Sequence, residues 1–136
     1  MHKITLLAAL LLTIVGCKTL GVGQKGGYAA IRATIANELM LDNSQVLVMD
    51  VRPLEEFNGP RGHIAGSLSS PIDSIEMKLP ELAPYQNSTV LVYGNDSEDG
   101  ARAARILVAA GFRNVVNIAG GLNAWIEHGY RVVNSQ

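Results

Sequence analysis

The chain has 136 residues, 48% hydrophobic and 17% charged, which is enough apolar material for one packed domain and too much for a disordered chain. Eleven basic and twelve acidic side chains leave a formal charge of -1, without the basic excess that nucleic-acid binding demands, so no nucleic-acid partner is expected. The single cysteine, Cys17, excludes an internal disulfide, and His2, His63 and His128 stand at no metal-ligand spacing, so neither a metal nor another cofactor is expected.

Residues 1–16 read MHKITLLAALLLTIVG. Lys3 gives a positive start, and Ile4 to Val15 is an apolar run shorter than the ~20 residues a helix needs to span a bilayer. Its length and flanks suit the hydrophobic region of a secretory signal. The run ends in Ile14-Val15-Gly16-Cys17, which resembles the bacterial lipobox. The resemblance implies cleavage before Cys17, diacylglycerol on its sulfur and usually an acyl chain on its amine. Burial at about 0.8 kcal/mol per CH₂ makes two or three such chains a firm membrane anchor. The expected place is therefore the bacterial cell envelope. Lys18 is not the aspartate that typically retains a lipoprotein in the inner membrane, which favours the periplasmic face of an outer membrane in a Gram-negative cell. An envelope protein is the expected partner.

Cys17 to Gly27 is glycine-rich and reads as a flexible tether, followed by one domain from Tyr28 to Val133. Tyr28 to Leu41, with Ile31, Ile35 and Leu39, has helical spacing. Val46 to Met49 is a short apolar run, as expected of a strand buried on both faces. Ser67 to Pro71 reads as a short extended piece, and Ile75 to Leu82 as a short helix interrupted by Pro80. Thr89 to Tyr93 is a second buried strand, Gly100 to Ala110 an amphipathic helix with Gly111 after it, Val115 to Ile118 a third strand, and Leu122 to His128 a last helix. Apolar runs alternating with helices imply an α/β fold, with a mainly parallel sheet flanked by helices on both faces. Ligands of such sheets bind at the carboxyl ends of the strands, where Asp50 and Gly94 fall.

Five motifs in order then carry a family resemblance. Asp50-Val51-Arg52 is followed by Glu55-Glu56-Phe57 and by Gly62-His63-Ile64-Ala65-Gly66-Ser67. Val90 to Tyr93 precedes Ala109-Ala110-Gly111-Phe112 with Asn114-Val115, and Gly120-Gly121-Leu122-Asn123-Ala124-Trp125 closes the series. The pattern resembles the rhodanese family over about residues 28 to 133, departing from its G-H-I-P-G-A segment at Ala65 and Ser67. Each motif also has a structural reading, which we place first. Asp50 can accept backbone N–H bonds and order the next turn. Arg52 and Arg61 can pair with Asp50, Glu55 or Glu56. His63 reads as a hydrogen-bonding residue, Trp125 as core, and Gly120 and Gly121 as a turn of positive φ. Asp50, Arg52 and His63 are the site-edge candidates.

The resemblance implies a catalytic cysteine directly after the tyrosine-ending strand, with an arginine about five positions on. The cysteine's thiolate would carry sulfur as a persulfide, its pKa lowered by backbone N–H groups and cations. Here Gly94 holds that position, and no catalytic residue is assigned. The loop continues Asn95-Asp96-Ser97-Glu98-Asp99-Gly100-Ala101, reaches its first arginine at Arg102, and so reads as longer than the family's. Asp96, Glu98 and Asp99 would repel an anionic sulfur donor and raise a thiol's pKa. Ser97 or Asp99 is expected to cap the helix beneath. Ser97 with His63 as base is a remote nucleophile. Asn95, Ser97, Asp99 and Gly100 mimic the start of an EF-hand loop, but its twelfth position would be Ile106 instead of a glutamate, so we read the loop as a solvated acidic turn. The expected function is a membrane-held, non-catalytic rhodanese-like module that binds or scaffolds. The alternative is a sulfurtransferase with an atypical loop.

Overall fold

The computed structural model describes residues 23–25 and 27–135. The signal segment and Cys17 lie outside the described residues. Six strands form one sheet: β1 (Gly23–Lys25), β2 (Tyr28–Arg32), β3 (Leu47–Asp50), β5 (Leu68–Ser69), β6 (Thr89–Tyr93) and β7 (Asn114–Ala119). Their order is β1-β2-β7-β6-β3-β5, parallel throughout except for the antiparallel pair β1 and β2. A small antiparallel pair joins β4 (His63–Ile64) to β8 (Val132–Val133). Helices α1 (Ala33–Asp42), α2 (Leu54–Phe57), α3 (Ile75–Leu82), α4 (Ser97–Ala109) and α5 (Gly121–Glu127) complete the fold.

The pleat explains why the central strands read as unbroken apolar runs. Along β3 and β6, Val48, Leu91 and Tyr93 point into one core with Ala36, Leu122 and Trp125 of α1 and α5. Met49, Val90 and Val92 point into the other, with Ile75, Ala104 and Leu107 of α3 and α4. Successive side chains alternate faces, and each face is covered by helices. Val48, Leu91, Val92, Leu107 and Trp125 are buried, while Ile106 and Val116 are only half-buried.

Several elements differ from expectation. Tyr28–Arg32 is a strand, and the helix starts only at Ala33. Ala29 to Arg32 pair with Val116 to Ala119 of β7, so a neighbouring strand outweighs the helical spacing of a short alanine-rich stretch. Part of the segment assigned to the tether, Gly23–Lys25, pairs with β2. Helix α3 runs through Pro80 without a break. The lost bond falls on the carbonyl of Glu76, and both residues are exposed, so water can serve that carbonyl.

Helix α4 carries the correction that matters most. It begins at Ser97, so only Gly94, Asn95 and Asp96 form a loop, and Glu98, Asp99, Gly100 and Arg102 are helical. The cap is Asp96, whose Oδ1 accepts from the Glu98 N–H at 2.9 Å, and not Ser97 or Asp99. Glu98 and Asp99 sit in the first turn, where carboxylates favour the positive end of the helix dipole. The acidic residues that read as a long loop are the start signal of this helix.

Candidate functional site

The site is built where β3 and β6 end side by side. Their register pairs Asp50 with Tyr93, so the turn after Asp50 and the loop after Tyr93 leave the same edge of the sheet. Asp50 and Arg52 are both buried. Asp50 Oδ1 accepts from the Arg52 backbone N–H and from Arg52 Nε, both at 3.0 Å, and Oδ2 accepts from Nη2 at 2.6 Å. Arg52 Nη2 also donates to the Gly62 carbonyl at 2.8 Å. Tyr93 completes the lock: its hydroxyl donates to Asp50 Oδ2 at 2.8 Å, accepts from the Ile64 N–H at 3.0 Å and lies 2.9 Å from Ser67 Oγ.

Two groups titrate outside their ordinary ranges. Burial, reinforced by the negative charge of Asp50, pushes the Tyr93 phenol up, so it stays neutral and able to donate. Burial alone would lower Arg52, but the hydrogen bonds and charge of Asp50 outweigh it and raise the guanidinium further. The Asp50–Arg52–Tyr93 lock therefore ties the ends of β3, β6 and β4 together. Of the three residues expected at the site edge, Asp50 and Arg52 act there as structural partners. His63 is held likewise, with Nδ1 3.0 Å from the Phe57 carbonyl oxygen and its ring stacked 3.6 Å from that of Phe57.

Gly94 is buried. Its carbonyl accepts from the Leu122 N–H at 2.9 Å, and the carbonyl of Asn95 accepts from the Asn123 N–H at 2.9 Å. The donors are the first N–H groups of α5. Gly121, at φ +52°, packs so close to the Gly94 carbonyl oxygen that a Cβ there would collide with it. This is why the G-G-x-x-A-W segment needs glycine: it pins the 94–96 loop by direct backbone contact. A Cβ placed on Gly94 would lie 2.9 Å from Cβ of Asp99, so a side chain there requires the neighbouring backbone to shift. Ser97 Oγ accepts from the Gly120 N–H at 2.7 Å, which places Ser97 and His63 in separate hydrogen-bond arrangements and leaves no Ser–His pair. Arg102 lies half-exposed on α4, 3.6 Å from Asp73 and 3.9 Å from Asp99, so it points to surface carboxylates.

Beside the loop lies a cavity of about 390 Å³ lined by Arg52, Glu55, Glu56, Gly59, Pro60, Arg61 and Asn95. Asn95 bridges its rim, donating from Nδ2 to Glu56 Oε2 at 2.6 Å and accepting from Arg61 Nη1 at 3.2 Å. Arg61 Nη2 donates to Asn123 Oδ1 at 2.6 Å. Sequence reasoning offered the glutamates as partners of Arg61; the structure gives it two asparagine amides instead. Asn123 was missed altogether, because contacts across 62 positions leave no trace in local spacing.

Comparison with known proteins agrees with this architecture. The family profile for the rhodanese-like domain matches residues 33–128. A sulfurtransferase of Allochromatium vinosum is 27% identical over 97 residues, covering 71% of this chain and 87% of that protein. The thiosulfate sulfurtransferase PspE of Escherichia coli is 32% identical over 74 residues, covering 54% of this chain and 68% of its own. The crystal structure of a rhodanese-related protein from Thermoplasma volcanium is 30% identical and superposes with a TM-score of 0.68, covering 78% of this chain and 98% of that one. With a parallel sheet that delivers a turn and a loop to one edge, the D-V-R lock behind them and the profile match across the domain, the chain belongs to the rhodanese-like domain family.

Proposed function

We propose that this protein is a non-catalytic rhodanese-like module, held at the bacterial envelope by lipid on Cys17, that binds through the face formed by the 94–96 loop and the adjoining cavity. The observation that carries the reading is Gly94. It directly follows the tyrosine-ending strand, it is buried, and a Cβ there would stand only 2.9 Å from Cβ of Asp99. Persulfide chemistry needs a thiolate, and residues 18–136 contain no cysteine. The position five residues after Gly94, where an active loop needs a cation, is Asp99. Support for the anchor is Ile14-Val15-Gly16-Cys17 at the end of an apolar run. The outer membrane, facing the periplasm, is the place this reading assigns in a Gram-negative cell.

The test has two arms. A chain starting at Lys18 is assayed for thiosulfate:cyanide sulfurtransfer, with turnover expected at background. Robust turnover by that unmodified chain would overturn the assignment in favour of an atypical sulfurtransferase, the activity named for the two curated relatives. The lipidated protein is then used to capture partners from native membranes. Capture should fall when Asn95 and Arg61 are both changed to alanine, and capture that survives this change would move the binding face elsewhere.

A further inference from the structure

Charge is unevenly settled in the cavity beside the loop. Arg52 is neutralised by Asp50, but Arg61, Glu55 and Glu56 form no ion pair among the described residues. The Arg61 guanidinium and the Glu56 carboxylate are held apart by the neutral amide of Asn95, which bonds to both. The contacts position the charges without cancelling them. Arg52, only 1% exposed, also lines the cavity. Its Nε and Nη2 are taken by Asp50 and the Gly62 carbonyl, and Nη1 has no hydrogen-bond partner among the described residues. The cavity of about 390 Å³ is thus lined by one guanidinium and two carboxylates that have no counter-charge among the described residues, and by a buried arginine with one unpartnered donor.

We propose that this cavity binds a small zwitterion, a molecule carrying one carboxylate and one ammonium group and about the size of a free amino acid. The carboxylate takes the guanidinium of Arg61 and Nη1 of Arg52, and the ammonium takes Glu55 and Glu56. A simple anion would face the two glutamates, and a simple cation would face Arg61, so each singly charged ligand meets a like charge that a zwitterion does not. No bond is made or broken. The inference rests on the reading of this face as a binding surface and adds the class of ligand.

The test uses residues 18–136, labelled for amide NMR. Glycine, 4-aminobutanoate and 6-aminohexanoate supply increasing separations between the two charges, and acetate and methylamine at matched ionic strength supply each charge alone. Saturable shifts at the amides of 52–62 and 95–96 are expected for at least one zwitterion, with acetate and methylamine binding about tenfold or more weakly. Arg61→Met and Glu56→Gln should each weaken the zwitterion about fivefold to tenfold, as loss of one charged contact of about 1 kcal/mol requires. The unchanged Tyr93 and Trp125 signals show that each variant is folded. The proposal is overturned if no zwitterion gives saturable shifts there, if acetate or methylamine binds as well, or if both variants bind as the parent does. Sulfurtransfer is measured on the same samples. Turnover with zwitterion binding intact sinks only the non-catalytic reading, and lack of binding without turnover sinks only the ligand class.

Discussion

Gly94→Cys puts a thiol directly after the tyrosine-ending strand, where the rhodanese resemblance implies the nucleophile, and tests how far the proposed lack of sulfurtransfer comes down to that one atom. The new Cβ would stand 2.9 Å from Cβ of Asp99, and because both atoms are fixed by the backbone, the 94–96 loop or the first turn of α4 must shift by some tenths of an ångström. Sulfur and the Asp99 carboxylate would then lie roughly 5 Å apart, worth about 3 kcal/mol of repulsion at an effective dielectric of about 20. The Asp99 side chain is 46% exposed, and solvent screening roughly halves that figure to about 1.5 kcal/mol. A thiol of ordinary pKa about 8.5 therefore moves toward about 9.5, leaving about 1% thiolate at pH 7.5. Residues 18–136 contain no other thiol, so alkylation by iodoacetamide across pH reads this group directly. Adding Asp99→Asn, which keeps the shape and removes the charge, should speed alkylation at pH 7.5 about tenfold. Adding Asp99→Arg should go further and raise thiosulfate:cyanide turnover above that of Gly94→Cys alone, which stays near background. Equal alkylation rates for the single and double variants, or full turnover from Gly94→Cys by itself, would show the electrostatic argument to be wrong.

Three further outcomes are expected. Cys17→Ser should abolish lipidation and leave a precursor or a released domain; mass spectrometry of the membrane-extracted parent showing an unmodified Cys17 would refute the anchor. Asp50→Ala leaves the buried Arg52 guanidinium without its counter-charge and should cost about 3–5 kcal/mol in urea unfolding, whereas a loss under about 1 kcal/mol would show that the lock carries no such strain. Tyr93 has its pKa raised in the folded state, so its contribution is fully present below the ordinary tyrosine value near 10 and is lost as pH rises above it, by at most about 1.4 kcal/mol per pH unit. Tyr93→Phe should therefore be less stable than the parent at pH 7, because three polar groups lose a partner, and should show a shallower loss between pH 10 and 12.

Local chemistry made much of this molecule readable before any coordinates. The apolar runs before Asp50 and Gly94 announce strands buried on two faces, because a pleated strand between helix layers needs apolar residues on both sides. The glycine pair at 120–121 announces its turn, since both positions adopt positive φ. The glycine directly after Tyr93, and the absence of cysteine from residues 18–136, on which the proposed function rests, are likewise read from composition. Tertiary structure decided the rest. Tyr28–Arg32 has the spacing of a helix and becomes a strand because β7 offers it a parallel partner, a choice made by contacts some 87 residues away. The acidic stretch reads as a loop until Asp96 caps α4, since the same carboxylates suit solvent and the first turn of a helix equally well. Glu56 and Arg61, Asn95, and Asn123 come from three separate segments, and their meeting depends on the register of β3 with β6 and on α5 docking against the 94–96 loop. Hydrogen bonds between such distant polar side chains impose no periodicity on the chain, so a cavity walled by them exists only once the sheet has brought its loops to one edge.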